Sequence, residues 1–224
     1  MLTPSVPFTR IFLRAGLASL IAGFVLSAAH LPNPATDENR SEKKSETAVF
    51  AGGCFWGVEA VFDAVKGVKE AVAGYAGGSK ANAHYEIVST GTTGHAESVQ
   101  VTFDPSVVSF GQLLKIYFSV AHDPTELNRQ GPDEGTQYRS EIFYTSDEQK
   151  HIAEAYIQQL TAAKVFRRPI VTKVAPLQAF YPAEDYHQNY VARNPHQPYV
   201  AYNDLPKLTN LRADFPEMCK GGKQ

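Results

Sequence analysis

The sequence predicts an α+β fold, a two-layer sandwich in which two helices cover one sheet. Three features indicate this fold: helical and alternating apolar patterns follow one another along the chain, the order strand–helix–strand occurs twice, and this order implies strand pairing between distant segments. No internal repeat predicts a solenoid. With 224 residues and 43% hydrophobic content, the chain is long enough for one well-buried domain with appendages.

The first strand–helix–strand unit begins with an apolar strand at residues 48–51, which stops at Gly52-Gly53. A helix follows, predicted by apolar residues at helical spacing: Val58, Val61, Phe62 and Val65. A second apolar run covers residues 68–73 and ends at residues 74–78, a glycine-rich segment predicted to be a turn. We expect the chain to be loop-like from there to His95.

The second unit begins with residues 97–103, which alternate apolar and polar side chains as a half-buried strand does. A helix is predicted from about residue 110 to 121, then a polar loop over 128–140 and a short strand near 142–144. Ser146 and Gln149 form a predicted capping box that opens a helix to about residue 163. Residues 170–174 alternate as another strand, and residues 180–190 gather aromatic and polar groups.

The two ends of the chain are predicted to lie outside the domain. Arg10 and Arg14 precede an apolar stretch that ends in small residues, so residues 1–29 are predicted to be an export signal. The stretch is shorter than the roughly 20 apolar residues of a membrane span, although an uncleaved anchor is the alternative. Residues 30–46 are predicted to be a flexible linker, residues 47–205 the catalytic domain and residues 206–224 a mobile tail. We therefore expect a periplasmic protein, or one anchored on the outer side of a membrane.

Charge and cysteine usage restrict the function. The net charge is −2, and no Lys/Arg cluster lies outside the N-terminal region, so nothing indicates nucleic-acid binding. The two cysteines, Cys54 and Cys219, lie too far apart in sequence to suggest a disulfide framework, and no paired Cys or His spacing predicts a metal site. A small neutral substrate fits this composition, and we expect a monomer.

Cys54 is the strongest candidate for a reactive group. It lies on the turn between the first strand and the first helix, where free N–H groups and the helix dipole favour an anion, so we expect the pKa of its thiol to be lowered. The neighbouring glycines are expected to leave the sulfur open, and Phe55 and Trp56 offer an aromatic wall suited to a methyl or thioether group. The alternative is a small buried thiol in a packing contact.

Glu97 shares a strand face with Val99, Val101 and Phe103. A carboxyl group that points toward a core is desolvated, which raises its pKa and keeps it protonated near neutral pH, ready to donate a proton. Because Glu97 begins the strand, it could instead turn outward to solvent, and alternation alone does not decide between the two.

Five motifs in order give the chain a resemblance to the A-type peptide methionine sulfoxide reductases. They are Gly52-Gly-Cys-Phe-Trp-Gly57, Gly74-Tyr-Ala-Gly-Gly78, Thr93-Gly-His-Ala-Glu97, Gly135-Thr-Gln-Tyr-Arg-Ser140 and Ala183-Glu-Asp-Tyr-His-Gln188. The resemblance covers residues from about 47 to the end of the chain. It implies a ferredoxin-like α/β plait with long coil segments, and no cofactor beyond an external dithiol reductant such as thioredoxin or a periplasmic equivalent.

The resemblance also implies the roles of individual residues. Cys54 would attack the sulfur of methionine S-sulfoxide, free or in oxidised proteins, while Glu97 protonates the departing oxygen. The remaining matched residues would bind substrate: Phe55 and Trp56 receive the methyl group, Tyr85 and Tyr138 hydrogen-bond the oxygen, and Asp133 helps to hold the substrate and its loop. His187 and His95 are interpreted as structural. The chain departs from the family pattern before Tyr85 and at Pro132, beside Asp133.

Resetting the enzyme requires reduction of the sulfenic acid left on Cys54. Cys219 is the only other thiol in the chain, and a mobile tail would let it approach Cys54 and form a disulfide that the dithiol reductant opens. In the alternative, an external thiol attacks the sulfenic acid directly. Two other functions remain open at this point: a thiol peroxidase in which Cys54 attacks peroxide, and a non-catalytic module that binds sulfoxides.

Overall fold

The structure, a computed structural model, describes residues 31–37 and 44–221. Its strands are β1 (Glu46–Gly52), β2 (Val68–Ala76), β3 (Ala96–Phe103), β4 (Arg129–Gln130), β5 (Asp133–Glu134), β6 (Ser140–Tyr144), β7 (Lys173–Pro176) and β8 (Phe180–Pro182). Its α-helices are α1 (Phe55–Asp63), α2 (Tyr85–Val88), α3 (Phe110–Ile116), α4 (Asp147–Ala162), α5 (Tyr190–Arg193) and α6 (Leu205–Asp214). Helical turns of other types cover Lys80–Asn82, Tyr117–Ala121, Thr136–Tyr138, Val200–Asp204 and Pro216–Met218.

Six strands form one mixed sheet in the order β7-β6-β1-β3-β2-β8. β1 lies at its centre and pairs antiparallel with β3 and with β6, while β7 adds in parallel to β6. β1 places Ala48 and Phe50 in the large core with α1, α3 and α4, and Val49 and Ala51 in a small apolar cluster on the other face. β4 and β5 pair antiparallel as a separate two-stranded sheet, which the sequence did not predict. The prediction that helices and sheet are combined is confirmed in this mixed α/β fold.

The helical face predicted for α1 is buried as expected. Val58, Val61, Phe62 and Val65 are each at most 1% exposed. Since α1 runs directly from the end of the central strand β1, this burial fixes the direction of its N-terminus, where Cys54 lies.

Several predicted boundaries were wrong, and tertiary contacts explain them. Residues 74–76 continue β2 instead of turning, because the bare Cα of Gly74 lets β8 approach: a Cβ there would lie 2.4 Å from the carbonyl oxygen of Tyr181. The segment before His95 contains a helical turn and α2. β7 covers Lys173–Pro176 instead of residues 170–174, because its partner β6 pairs with it only from Lys173 onward.

The capping box predicted for α4 is half formed. The Ser146 hydroxyl accepts the N–H of Gln149 at 3.2 Å, but the Gln149 side chain accepts from the Thr145 N–H and donates to the Thr47 carbonyl. Gln149 therefore ties α4 to β1 instead of closing the box.

The described parts of the predicted linker and of the predicted tail are more ordered than the sequence indicated. The predicted export signal, residues 1–29, lies outside the described residues. Within the predicted linker, Leu31 is 6% exposed and the Pro32 carbonyl accepts from the Tyr156 hydroxyl of α4, so residues 31–37 pack on the domain. The predicted tail begins with α6, whose Leu211 is fully buried, so it is folded against the domain through most of its length. In the part of the chain that the structure describes, no helix is long and apolar enough to span a membrane.

Asp37 is the contact through which residues 31–37 should stabilise α3. Its carboxylate accepts the N–H of Gly111, at the second position of α3, at 3.1 Å and also the hydroxyl of Ser109. We expect Asp37→Ala to lower the free energy of unfolding by about 1 kcal/mol, the usual contribution of a helix-capping acceptor, measured by urea denaturation. Glu154→Ala, which removes an exposed carboxylate on α4, is the control, and equal effects of the two variants would contradict the packing described here.

Candidate active site

Cys54 caps the N-terminus of α1 and is 9% exposed. The two glycines before it do not open the sulfur to solvent, as the sequence suggested, because other side chains fill the space beside them. A Cβ on Gly53, whose φ is +89°, would lie 2.5 Å from Cγ of Gln130, and a Cβ on Gly52 would lie 2.9 Å from Cγ of His122. These glycines let the loop after α3 pack against the turn that carries the thiol.

The expected lowering of the Cys54 pKa is wrong for this structure. Burial raises the pKa of the thiol well above its usual value, and the nearby carboxylates of Glu97 and Asp204 raise it further. The backbone N–H of Trp56 acts in the expected direction and lowers the pKa, as does Lys207, but neither outweighs desolvation. The resting thiol is therefore protonated near neutral pH.

Glu97 points inward, so the structure decides between the two orientations that the alternation of β3 left open. It is 2% exposed, and its Oε2 accepts the N–H of Phe55 at 3.1 Å, so the carboxyl group lies beside the residue that follows Cys54. Burial raises the pKa of Glu97 to about 8; the Phe55 hydrogen bond opposes this shift and Asp133 adds to it. Glu97 is thus an acid that holds its proton at neutral pH.

The aromatic pair after Cys54 is divided between the core and the site. Phe55 is 1% exposed and packs against Tyr75, with ring centroids 5.8 Å apart. Trp56 is half-buried: it stacks on Tyr190 at 3.7 Å and its indole N–H donates to Nδ1 of His187 at 3.0 Å. His187, interpreted as structural, therefore orients the Trp56 ring.

Three further predicted site residues surround the Cys54–Glu97 pair. The pKa of Tyr85 is raised to about 12 by burial, by Glu97 and by Cys54, and the pKa of Tyr138 is raised by burial and by Glu97. Both hydroxyls therefore keep their protons at any physiological pH. Both also lie close enough to Glu97 and Cys54 to interact with them electrostatically. Asp133 accepts a hydrogen bond from the Tyr199 hydroxyl, and burial raises its pKa.

Cys219 is not brought to this site. It lies at the opposite end of α1, where it forms an antiparallel bridge with Val65; the Lys66 N–H donates to the Met218 carbonyl and the Lys220 N–H donates to the Ala64 carbonyl, both at 2.7 Å. The nine residues of α1 separate the two thiols by about 13 Å of helix, whereas a disulfide needs Cα atoms within about 7 Å. Both cysteines are free thiols.

Sequence reasoning missed three residues of this region. Tyr199 binds Asp133, while Asp204 and Lys207 lie against the first turn of α1 near Cys54. They belong to a segment without apolar periodicity, and no local pattern in the sequence marks them. Among residues 31–37 and 44–221, no group of three or more His, Cys, Asp or Glu side chains could hold a metal ion.

Comparison with known proteins shows that the chain is similar to the members of one enzyme family. A family model described as peptide methionine sulfoxide reductase matches residues 46–218. The chain is 59% identical, over 81% of its length and 93% of the relative, to a Mesorhizobium japonicum protein named peptide methionine sulfoxide reductase MsrA 2. It is 51% identical, over 92% of its length and 98% of the relative, to the Synechocystis protein of the same name.

Two solved structures share the fold. Mxr1 from Saccharomyces cerevisiae in reduced form aligns with a TM-score of 0.63 and 33% identity over 71% of this chain and 91% of that one. Methionine sulfoxide reductase A of Corynebacterium diphtheriae aligns with a TM-score of 0.59 and 37% identity over 74% of this chain and 84% of that one. Both alignments support the mixed α/β fold described above.

Proposed function

The chain belongs to the peptide methionine sulfoxide reductase family, and from this premise we propose that it reduces methionine S-sulfoxide, free or in proteins, at Cys54. One observation carries the proposal: a buried thiol and a buried carboxyl group that holds its proton meet at the N-terminus of α1, beside an aromatic side chain. The enzyme is an oxidoreductase that repairs oxidised methionine.

Cys54 is the nucleophile and Glu97 the general acid. The Cys54 sulfur attacks the sulfoxide sulfur, and the Glu97 proton passes to the oxygen, which is a poor leaving group unless protonated. As the Cys54 sulfur attacks, the thiol proton passes to the Glu97 carboxylate and restores the acid. The S–O bond of the sulfoxide then breaks, the oxygen ends on Cys54 as sulfenic acid, and methionine leaves. The two electrons that reduce the sulfoxide come from the Cys54 sulfur.

The surrounding residues bind the substrate in this proposal. Tyr85 and Tyr138 donate hydrogen bonds to the sulfoxide oxygen and stabilise the charge that develops there, since their raised pKa values keep both hydroxyls protonated. Phe55 and Trp56 receive the methyl group, and Asp133, fixed by Tyr199, holds the substrate backbone or its loop. One chain supplies all of these groups, so we propose that the enzyme acts as a monomer.

We propose that a dithiol reductant of the thioredoxin type resets Cys54 directly. A thiol of the reductant attacks the sulfenic acid, releases water and forms a mixed disulfide; its second thiol then opens that disulfide, leaving Cys54 reduced and the reductant oxidised. The fixed position of Cys219 at the far end of α1 supports this route over the internal disulfide expected from the sequence.

Two further points extend the proposal. The order β6-β1-β3-β2, with α1 between β1 and β2 and α3 between β3 and β6, supports a ferredoxin-like plait with β7 and β8 added at its edges. We also propose that the N-terminal apolar segment exports the enzyme, so that its reductant is found outside the cytoplasm.

The first prediction tests the reaction itself. With dithiothreitol and each epimer of a methionine sulfoxide, we expect the S epimer to be converted to methionine and Cys54→Ser to be inactive, measured by chromatography of the methionine formed. A thiol peroxidase would consume peroxide and leave the sulfoxide unchanged. A binding module would convert neither epimer, and Cys54→Ser would bind the sulfoxide as the unaltered chain does. Equal conversion of both epimers would also contradict the proposal.

The second prediction concerns Glu97. Because the acid must be protonated to donate, we expect turnover to decline as the pH rises through about 8, and Glu97→Gln to lower turnover by roughly 10²–10⁴-fold and to lose this decline. The measurement is kcat between pH 6 and pH 10. Glu59→Gln is the matched control, since burial raises the pKa of Glu59 to about 7 at a position that binds the N–H of Asn189. An unchanged rate in Glu97→Gln would remove Glu97 from the mechanism.

The third prediction concerns Cys219. We expect Cys219→Ser to keep at least about half of the turnover supported by a thioredoxin and thioredoxin reductase, because the reductant reaches Cys54 without it. NADPH oxidation in the coupled assay measures this turnover, and Cys54→Ser gives the background. Formation of one methionine per enzyme followed by arrest would show instead that Cys219 resolves the sulfenic acid.

A further inference from the structure

An ion pair lies against the first turn of the helix that carries Cys54. Asp204 precedes α6 and is fully buried, and the ammonium of Lys207, one turn further on, lies 3.6 Å from its Oδ1. A Cβ on Gly57, the third residue of α1, would lie 2.2 Å from Oδ1 of Asp204 and 2.8 Å from Nζ of Lys207. The missing side chain of Gly57 therefore makes room for both charges within one turn of the thiol.

Asp204 is anchored almost entirely by this pair. Neither carboxylate oxygen has a hydrogen-bond partner within the described chain, although both are buried. A buried carboxylate without a positive partner lowers the stability of the folded state, so the Lys207 ammonium stabilises Asp204 at this position. Asp204 in turn holds the Lys207 side chain, of which 19% is exposed, against the first turn of the helix that carries Cys54.

The other titratable groups that influence the Cys54 thiol are two carboxyl groups and three tyrosines. Glu97 approaches from β3 and Asp204 from the turn before α6, and both raise the pKa of the thiol; Tyr85, Tyr138 and Tyr199 are neutral neighbours. Lys207 is a cation beside the first turn of α1, and it lowers the pKa of the Cys54 thiol. A thiolate at this position therefore depends on Lys207 for its positive partner.

We propose that Lys207, held by Asp204 against Gly57, is the positive charge that stabilises the anionic sulfur of Cys54. This inference rests on the proposed function. Lys207 has two uses in that cycle, since Cys54 must become a thiolate to attack the sulfoxide and must depart as a thiolate when the mixed disulfide is opened. In this proposal Lys207 acts on the reaction through the charge of Cys54, so it is a positioning residue, and Asp204 is the group that positions Lys207.

The test measures the ionisation of Cys54 without any sulfoxide, so its outcome is independent of the proposed reaction. The full chain is alkylated with iodoacetamide between pH 6 and pH 10, and modification of Cys54 is followed by peptide mass spectrometry. We expect Lys207→Met to slow alkylation by roughly 3–10-fold at each pH below the Cys54 pKa, because a smaller fraction of the thiol is ionised. Lys207→Arg should stay within about twofold of the unaltered chain, because it keeps the charge.

Asp204→Asn separates a charge effect from damage to the fold. It removes the negative charge of the pair instead of the positive one and keeps an oxygen that can accept from the Lys207 ammonium. Lys207 should therefore stay in place, and alkylation of Cys54 should become faster. Lys164→Met removes an exposed lysine after α4 and should change nothing. The proposal is overturned if Lys207→Met reacts as the unaltered chain does, if Lys207→Arg is as slow as Lys207→Met, or if Asp204→Asn is also slowed.

Discussion

The hydrogen bond from the Phe55 N–H to the Glu97 carboxyl group joins the two parts of the molecule that the chemistry needs together. It ties the start of α1, which carries Cys54, to the start of β3, which carries the acid. Because both residues are buried, the bond forms where water cannot compete, and the same burial raises the pKa of Glu97 to about 8. The geometry of this contact sets the thiol beside a proton donor, and the aromatic and tyrosine side chains are arranged around that pair.

Some of this arrangement could be predicted from local patterns. A strand has a period of two, so the pattern places Glu97 on the face of Val99, Val101 and Phe103. Because Glu97 begins the strand, the pattern left open whether it turns outward, and the structure shows that it points inward. The spacing of apolar residues after Trp56 likewise fixed the buried side of α1. Glycine was a weaker guide: Gly74 indicated a turn, yet its lack of a side chain serves the close approach of β8.

What could not be predicted depends on contacts between distant segments. The helix N-terminus favours a Cys54 thiolate locally, but burial and two carboxylates from other elements outweigh it, and neither effect is visible in the motif. No local sequence pattern marks Asp204, Lys207 or Tyr199, because the role of each depends on contacts with residues distant in sequence. The glycine-ended tail suggested that Cys219 is mobile, whereas backbone hydrogen bonds join its neighbours to the end of α1.

The attachment of α1 at both ends has a consequence for biosynthesis. Asp204 and Lys207 lie against its beginning, and residues 218–220 bind its end, although α1 itself is among the first elements of the domain to be made. When a ribosome has translated only the first two thirds of the message, α1 has already been synthesised, but the segments that enclose it have not. The surroundings of the nucleophile are therefore complete only after residues 204–220 have been made, and a product truncated before them would leave Cys54 without Asp204 and Lys207 beside its helix.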